Sequence, residues 1–265
     1  MTASAGNLER FSGLAKVYDA YRPSPPLVLV DVLTQLAQCE RPHLVVDIGC
    51  GTGLSTRLWA ERANAVVGIE PNADMRNQAV AATQASNVTY HDGLSTRTGL
   101  PDGSADIVTV SQALHWMEPE PTFAEVHRIL RPGGVFAAYD YNWPPTMGWE
   151  IEMAYYQLIA QIEAREERIA KLNLHRWDKS EHLARLRACG LFRYVKELTL
   201  HHQETGNAER LVGAAVTSSS LGIAQLEGVS DHELGLDRLR AEAERLLGKE
   251  PKPWYWSYLV RVAVK

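Results

Sequence analysis

Residues 45–53 read VVDIGCGTG, and this stretch decides the fold of the 265-residue chain. The apolar, β-branched run over 44–48 predicts a short strand, and a helical pattern follows over 54–62. Between them lie three glycines: Gly49, Gly51 and Gly53. Glycines at a strand-to-helix turn let a ligand approach the backbone, and the helix N-terminus offers unpaired N–H donors. The stretch therefore predicts a ligand site, with a tight turn that holds no ligand as the alternative.

The alternation of strands and helices continues to the end of the chain. Seven runs are predicted as strands: 44–48, 65–69, 88–91, 106–110, 135–139, 194–200 and 254–264. Helical patterns between and after them include 74–82, 123–130, 179–188, 208–218 and 231–247. Residues 141–178 begin with Trp and Pro and carry a further helical pattern, so we interpret them as a cap inserted after the fifth strand. The order of elements predicts a parallel α/β sheet.

Composition and charge narrow the classes of protein and partner. The apolar fraction of 45% is typical of a globular chain. A net charge of -5 has the wrong sign for non-specific binding to phosphate backbones, so nucleic acid is not expected as a partner. Cys39, Cys50 and Cys189 are widely spaced, which predicts no disulfide framework and no metal site. We expect a cytoplasmic protein without a membrane span, whereas the oligomeric state stays open.

Two common nucleotide-binding loops do not match the glycine stretch. The dinucleotide fingerprint G-x-G-x-x-G requires a third glycine where this chain has Leu54. The phosphate loop requires a lysine, and none occurs over 49–60. The sequence therefore favours neither a dinucleotide nor a nucleoside triphosphate.

The stretch over 45–53 closely resembles the first motif of the class I S-adenosylmethionine-dependent methyltransferases. The resemblance extends over 44–140 through Glu70 at the end of the second strand and through three short motifs: His91-Asp92-Gly93, residues 100–106 (LPDGSAD) and residues 130–134 (LRPGG). It implies a Rossmann-like, seven-stranded, mostly parallel sheet with helices on both faces and a helical cap after the fifth strand. The segment from Tyr18 to Pro23 and the pair His115-Trp116 resemble the trans-aconitate methyltransferase-like branch of type 11 enzymes.

The resemblance also implies a division of the chain and a cofactor, S-adenosyl-L-methionine. Residues 1–43 are expected to form an N-terminal lid and helix, 44–140 the cofactor-binding α/β core, 141–178 the cap and 179–265 the C-terminal part of the core. The residues expected to bind the cofactor are Tyr18, Arg22, Asp47, Gly49, Gly51, Gly53, Glu70, Pro71, Met75, Asp92, Gly93, Ser111 and Gln112.

Individual roles follow from the family pattern. Glu70 is expected to accept from the ribose hydroxyls, since a carboxylate suits two donors. Pro71 or Met75 would pack on adenine, and Asp92 would accept from its amino group. Arg22 would pair with the methionyl carboxylate. The alternatives are that Asp47 and Asp92 cap helices, that Met75 is a core residue and that the N-terminal tyrosines only pack on the core.

His115 follows the fourth strand, where a parallel sheet exposes side chains to its ligand crevice. Its ordinary pKa near 6.5 suits a general base for a hydroxyl nucleophile. It could instead hydrogen-bond the cofactor or brace the cap. The sequence proposes His115 as the catalytic residue, with these two alternatives open.

Aromatic residues predict the pocket for the second substrate: Tyr21, Trp116, Trp143 and Trp149. Anchoring of the cap to the sheet is the alternative role. The motifs of adenine and pyrimidine methylation do not occur at the required places, so a nucleobase acceptor is disfavoured. We expect methyl transfer to a small organic molecule, most readily at a hydroxyl or carboxylate oxygen. A cofactor-binding protein with non-methylating catalysis or a regulatory role is the alternative, and a nicotinamide oxidoreductase is a weaker one.

Overall fold

The computed structural model describes residues 13–166, 175–218, 221 and 229–265. Its strands are β1 (Leu44–Ile48), β2 (Ala65–Ile69), β3 (Val88–His91), β4 (Ala105–Ser111), β5 (Leu130–Tyr141), β6 (Tyr194–Gly206) and β7 (Lys252–Val264). They form one seven-stranded sheet in the order β3-β2-β1-β4-β5-β7-β6. The first five strands are parallel, whereas β7 runs antiparallel to both of its neighbours, β5 and β6. This confirms the Rossmann-like, mostly parallel sheet.

Helices cover the sheet. Their bounds are α1 (Ala15–Tyr21), α2 (Leu27–Leu36), α3 (Leu54–Arg57), α4 (Ala73–Ala82), α5 (Pro119–Ile129), α6 (Trp149–Glu166), α7 (His182–Ala188), α8 (Ala208–Val216), α9 (Asp231–Leu234) and α10 (Leu236–Leu246), with 3-10 turns at Leu114–Trp116 and Lys179–Glu181. Local signals set several starts: Asn72 accepts from Met75 N–H at the start of α4, and Pro119 occupies the first turn of α5.

The long C-terminal strand β7 lies between β5 and β6 and pairs antiparallel with both. Trp254, Trp256, Tyr258 and Val260 alternate along it and are buried, as the period-two pattern predicts. The ring of Trp254 lies against Gly206 of β6, where an added Cβ would lie 2.4 Å from the ring. The aromatic face of β7 therefore forms much of the core on one side of the sheet.

Some predicted bounds are wrong. The single helix expected over 231–247 is two helices, because Gly235 adopts a left-handed φ of +83° between α9 and α10. The helix expected over 54–62 ends at Arg57, and the fifth strand begins at Leu130 rather than at residue 135. Strand β6 extends to Gly206, six residues beyond the predicted end at Leu200, because it pairs with β7 along its whole length.

The region interpreted as a cap contributes α6, which contacts α10 and whose buried residues Ile151, Tyr155, Leu158 and Ile162 belong to the same hydrophobic cluster as the aromatic residues of β7. The boundaries drawn at residues 43, 140 and 178 stay predictions. Residues 1–12 of the expected lid and 167–174 of the expected cap lie outside the described residues. None of the helices within the described ranges has the length and apolarity that a membrane span requires.

Candidate active site

The glycine loop lies at the carboxyl edge of the sheet, between β1 and α3. Its three glycines have φ values of +69°, +55° and +82°, in the left-handed region that favours glycine. A Cβ on Gly49 would lie 2.7 Å from Met117 Cε and 2.9 Å from Ala113 Cβ, so the segment after β4 packs directly on this loop. A Cβ on Gly51 would meet no heavy atom within 4 Å. The loop is therefore packed at Gly49 and faces open space at Gly51.

Glu70 stands directly after β2 and holds the loop. Its Oε2 accepts from Gly51 N–H at 2.9 Å, and its Oε1 accepts from Asn72 N–H at 2.9 Å. The residue is 9% exposed. A carboxylate has about four acceptor sites, so a residue that holds the loop in this way can also accept from ligand hydroxyls.

Thr52 supplies a test of whether the loop fits a bound ligand. Its side chain is buried, yet its Oγ1 has no hydrogen-bond partner among the described residues. A buried hydroxyl without a partner is costly, and a polar ligand group at the loop would supply one. Together with the open space at Gly51, this arrangement fits a polar cofactor held against the loop.

Helix α1 is tied to the same loop by an ion pair. Asp19 Oδ1 lies 2.7 Å from Arg57 NH2, and Arg57 NH1 donates to Thr52 O at 2.7 Å. Gly13 N–H also donates to Asp74 Oδ2 in α4, at 3.3 Å. These contacts place the N-terminal helix beside the glycine loop and α4.

Asp47 is buried beneath the loop, which favours a supporting role, and the expected contact with a cofactor stays a prediction. Its carboxylate is 0% exposed and accepts from Thr56 Oγ1 at 2.7 Å and from Thr109 Oγ1 at 2.8 Å. Burial raises the pKa of Asp47 to about 6, although the two threonine hydroxyls oppose this shift. Asp47 supports the loop from below by joining β1 to α3 and β4.

The residues expected around adenine lie at the ends of β2 and β3. Pro71 is half-buried beside Glu70. Met75 is buried, which favours its alternative role as a core residue. The side chain of Asp92 is 74% exposed and lies 3.5 Å from Arg76 NH1, while Gly93 packs near Ile69. Among these residues, Pro71, Asp92 and Gly93 remain accessible for the predicted contacts.

The end of β4 carries Ser111 and Gln112, which are both half-buried. Gln112 has a left-handed φ of +52° and donates its backbone N–H to Tyr139 O at 2.9 Å. Its Oε1 accepts from Lys179 Nζ at 3.0 Å. A non-glycine residue in this conformation is uncommon and points to a local constraint at the sheet edge.

His115 lies in the 3-10 turn that follows, and it is 5% exposed. Its ring centroid is 4.7 Å from that of Trp116. Its carbonyl accepts from Trp177 N–H at 2.8 Å, which links the turn to the segment before α7. His115 and Trp116 both line a cavity at this edge of the sheet.

That cavity has a volume of about 340 Å³. Predicted site residues on its wall are Tyr18, Arg22, Gln112, His115, Trp116 and Trp143. Tyr155 and Tyr156, two further aromatic residues of the predicted cap, also line it, and residues that the sequence did not single out include Tyr141, Glu163, Arg176 and Lys179. The cavity is therefore lined jointly by the N-terminal helix, the end of β4 and α6.

Arg22 is the most heavily bonded cation of the cavity wall. Its guanidinium donates to Tyr141 Oη at 2.6 Å, to Thr217 Oγ1 at 2.8 Å and to Thr217 O at 2.7 Å. It also lies 4.9 Å from the centre of the Tyr18 ring. Within the described ranges, no carboxylate forms an ion pair with it. This arrangement leaves a fixed positive charge that suits an anionic ligand group.

Two residues expected in the substrate pocket lie elsewhere. Tyr21 packs its ring on Gly213 of α8 and donates to Glu209 Oε1 at 2.8 Å, so it anchors α1 to α8. Trp149 is 76% exposed at the start of α6 and does not line the cavity. Neither residue lines the cavity in this structure: Tyr21 is held by α8, and Trp149 is exposed to solvent, so their role in a substrate pocket stays a prediction.

Sequence reasoning missed Arg176 and Lys179. Both lie where the predicted cap meets the next helix, and charged residues in such a place look like solvated surface. They reach the cavity because the Trp177–His115 backbone bond holds this segment against the end of β4. No local pattern indicates that contact.

Comparison with known proteins agrees with the fold and the loop. Residues 46–138 match the family model described as "Methyltransferase domain". An uncharacterized methyltransferase of Mycobacterium tuberculosis is 32% identical over 154 residues, which are 58% of this chain and 61% of that protein. A Dictyostelium discoideum protein named as a methyltransferase is 31% identical over 134 residues, covering 51% of this chain and 49% of that protein. The chain thus spans about half of the length of the curated relatives it matches.

A solved structure extends the fold comparison over most of the chain. The structure titled as a type II methyltransferase from Anaeromyxobacter dehalogenans has a TM-score of 0.65 and 23% identity, covering 92% of this chain and 97% of that one. The sheet order and this likeness show a methyltransferase-like fold over most of the chain, and residues 46–138 resemble a methyltransferase domain.

Proposed function

We propose that this protein transfers a methyl group from S-adenosylmethionine to a small organic acceptor, most readily at a hydroxyl or carboxylate oxygen. The observation that carries the proposal is the direct packing of two regions: the glycine loop with Glu70, and the segment after β4 that lines the cavity. Gly49 touches Ala113 and Met117, and Gln112 and His115 of the same segment face the cavity. A cofactor on the loop and an acceptor in the cavity would thus be neighbours.

The chain's own residues suit the cofactor. Glu70 would accept from ribose hydroxyls, Gly51 would let the ligand approach the backbone, and Arg22 would bind the methionyl carboxylate. When bound, S-adenosylmethionine supplies a methyl group on a positively charged sulfur. The Tyr18 ring beside Arg22 would add a face that attracts positive charge.

The cavity suits a small acceptor rather than a nucleic acid. Its volume of about 340 Å³ and its aromatic wall accommodate one compact organic molecule. The protein would hold both reactants in alignment and exclude water, which accounts for much of the rate of such a displacement. His115 would take the proton from a hydroxyl acceptor, whereas a carboxylate acceptor would need no base.

The test begins with calorimetric titration of the protein with S-adenosylhomocysteine, and with NADH as the comparison. We expect S-adenosylhomocysteine to bind in the micromolar range or tighter and NADH not to bind. Formation of S-adenosylhomocysteine from S-adenosylmethionine is then measured with a library of small hydroxyl and carboxyl compounds. Binding without turnover on any compound would favour the alternative of a non-methylating or regulatory protein, and absence of binding would overturn the proposal.

A further inference from the structure

Cationic side chains outnumber carboxylates on the described wall of the cavity. The described wall carries three cationic side chains, Arg22, Arg176 and Lys179, and one carboxylate, Glu163. The cofactor assigned above would engage Arg22 through its carboxylate and would add a positive sulfur of its own. Arg176 and Lys179 then remain to recognise something else.

Lys179 is held in the cavity wall by one ion pair and one hydrogen bond. Its Nζ lies 2.7 Å from Asp140 Oδ1 and donates to Gln112 Oε1 at 3.0 Å. An ammonium group has three N–H donors. The third donor has no acceptor among the described residues, and the side chain lines the cavity.

The position of Lys179 is supported from behind by a buried ion-pair chain. Asp140 Oδ2 accepts from Arg261 NH1 at 2.9 Å, and Arg261 Nε donates to Glu197 Oε2 at 3.1 Å. Arg261 NH2 also donates to the backbone carbonyl of Lys179, at 3.2 Å. Lys179 is therefore positioned by an ion-pair chain in which Asp140 and Glu197 balance Arg261 and Lys179, and it offers its remaining N–H donor to the cavity.

Arg176 lies on the same segment of chain. Its guanidinium carbon is 5.8 Å from the centre of the Trp116 ring, so the cation is placed over an aromatic face of the cavity. No ion pair involves Arg176 in the part of the chain that the structure describes. The Trp177–His115 backbone bond holds both cations close to the catalytic candidate.

We infer that Lys179 and Arg176 form a recognition pair for an anionic oxygen group on the acceptor. The inference rests on the proposed function and adds a requirement to it: the acceptor carries a carboxylate or a phosphate, attached to a body flat enough to lie among Trp116, Trp143 and Tyr155. A site built to donate charged hydrogen bonds discriminates strongly against a neutral analogue, because the cations then lose water without gaining a partner.

Matched pairs of small molecules test the inference by binding alone. The protein is titrated calorimetrically, with and without saturating S-adenosylhomocysteine, with cinnamate and cinnamamide and with benzyl phosphate and benzyl alcohol. At least one anion should bind about tenfold or more tightly than its neutral partner, which is the lower range for one charged hydrogen bond. The pair that shows the preference identifies the group as carboxylate or phosphate.

Variants assign the preference to the two residues. Lys179→Met and Arg176→Gln should each reduce the ratio of anion to neutral affinity to about threefold or less. Arg187→Gln removes an exposed cation of α7 that does not line the cavity, and it should leave the ratio unchanged. Arg176 is itself exposed, so its variant retains the fold even where Lys179→Met disturbs the ion-pair chain.

The outcomes separate this inference from the proposed function. Normal S-adenosylhomocysteine binding with no anion preferred, or with a preference that survives in both variants, overturns the recognition pair and leaves the methyltransferase proposal intact. Failure to bind S-adenosylhomocysteine overturns the proposed function, while the titrations without it still test the two cations.

Discussion

The carboxylate of Glu70 accepts a hydrogen bond of 2.9 Å from the backbone N–H of Gly51. The acid that ends β2 and the loop that follows β1 are therefore joined directly, without an intervening side chain. This bond orients the carboxylate toward the open space at Gly51, which is where the proposed cofactor would contact the loop.

Replacement of Glu70 tests the ribose assignment. Glu70→Ala should weaken S-adenosylhomocysteine binding by about 1.5–3 kcal/mol for each charged hydrogen bond lost. Calorimetric titration measures the change, and Glu61→Ala, which removes an exposed acid, is the matched control. An unchanged affinity in Glu70→Ala would remove Glu70 from the cofactor site.

Alanine substitutions at two glycines of the loop distinguish a packing role from a ligand-contact role. Gly49→Ala should lower the free energy of unfolding by roughly 2–4 kcal/mol, because it adds a clash with Ala113 and Met117 to a left-handed backbone. Gly51→Ala should lower it by only about 1–2 kcal/mol, since its Cβ enters open space. Denaturant unfolding measures both.

Ligand binding should show the opposite order. Relative to its loss of stability, Gly51→Ala should lose more affinity for S-adenosylhomocysteine than Gly49→Ala does. Gly51→Ala should weaken S-adenosylhomocysteine binding while the protein stays folded, because the new methyl group lies where the ligand approaches. Normal ligand affinity in Gly51→Ala would show that the open face of the loop is not the binding face.

The role of His115 is tested by comparing the effect of its replacement on kcat with the effect on cofactor affinity. With a hydroxyl acceptor, His115→Ala should lower kcat by roughly 10²–10⁴ and leave the affinity for S-adenosylhomocysteine nearly unchanged. His201→Ala, which alters an exposed histidine of β6, is the control. Loss of cofactor affinity in His115→Ala would instead assign His115 to the building of the site.

Helix α1 is expected to act as a lid. S-adenosylhomocysteine should increase hydrogen-exchange protection over residues 13–26 as well as over 49–53, because only a ligand that contacts the closed form can shift the population toward it. Asp19→Asn removes the ion pair with Arg57 and should lower protection over 13–22 in the free protein. Protection limited to the glycine loop would mean that α1 is an ordinary packed extension.

Asp47 predicts a pH dependence of stability. Its pKa is raised by burial to about 6, above the unfolded value near 4, so the folded state binds the extra proton in the interval between them. Stability from this group is therefore lost as the pH rises from about 4 to 6. Asp47→Asn should remove that loss and gain up to about 3 kcal/mol relative to the native protein between pH 4 and pH 7.

The measurement for Asp47 is the difference between the unfolding free energies of the variant and the native protein at each pH. Taking the difference cancels the contributions of other groups, such as Glu125, whose pKa is lowered to about 2 despite burial by its bonds to Arg128 and Thr98. A difference that does not change with pH would contradict the raised pKa of Asp47.

Much of the fold could be predicted from local patterns. Period-two runs and glycine breaks predicted all seven strands and placed the ligand loop between β1 and α3. Errors occur where a distant partner sets the bounds: β6 continues to Gly206 because β7 pairs with it, and Gly235 divides a helix that looks continuous in the sequence. Residue pattern reports the local backbone preference, and it does not report how far a neighbouring strand extends.

The candidate site divides in the same way. The sequence by itself determined the glycine loop, Glu70 and the position of His115 after β4, because each follows from a motif attached to the end of a strand. Only the tertiary structure decided that Asp47 is buried, that Tyr21 and Trp149 do not line the cavity and that Arg176 and Lys179 do. The physical reason is that side-chain burial and ion pairing depend on contacts between elements far apart in the chain, as when Lys179 meets Asp140 and Gln112.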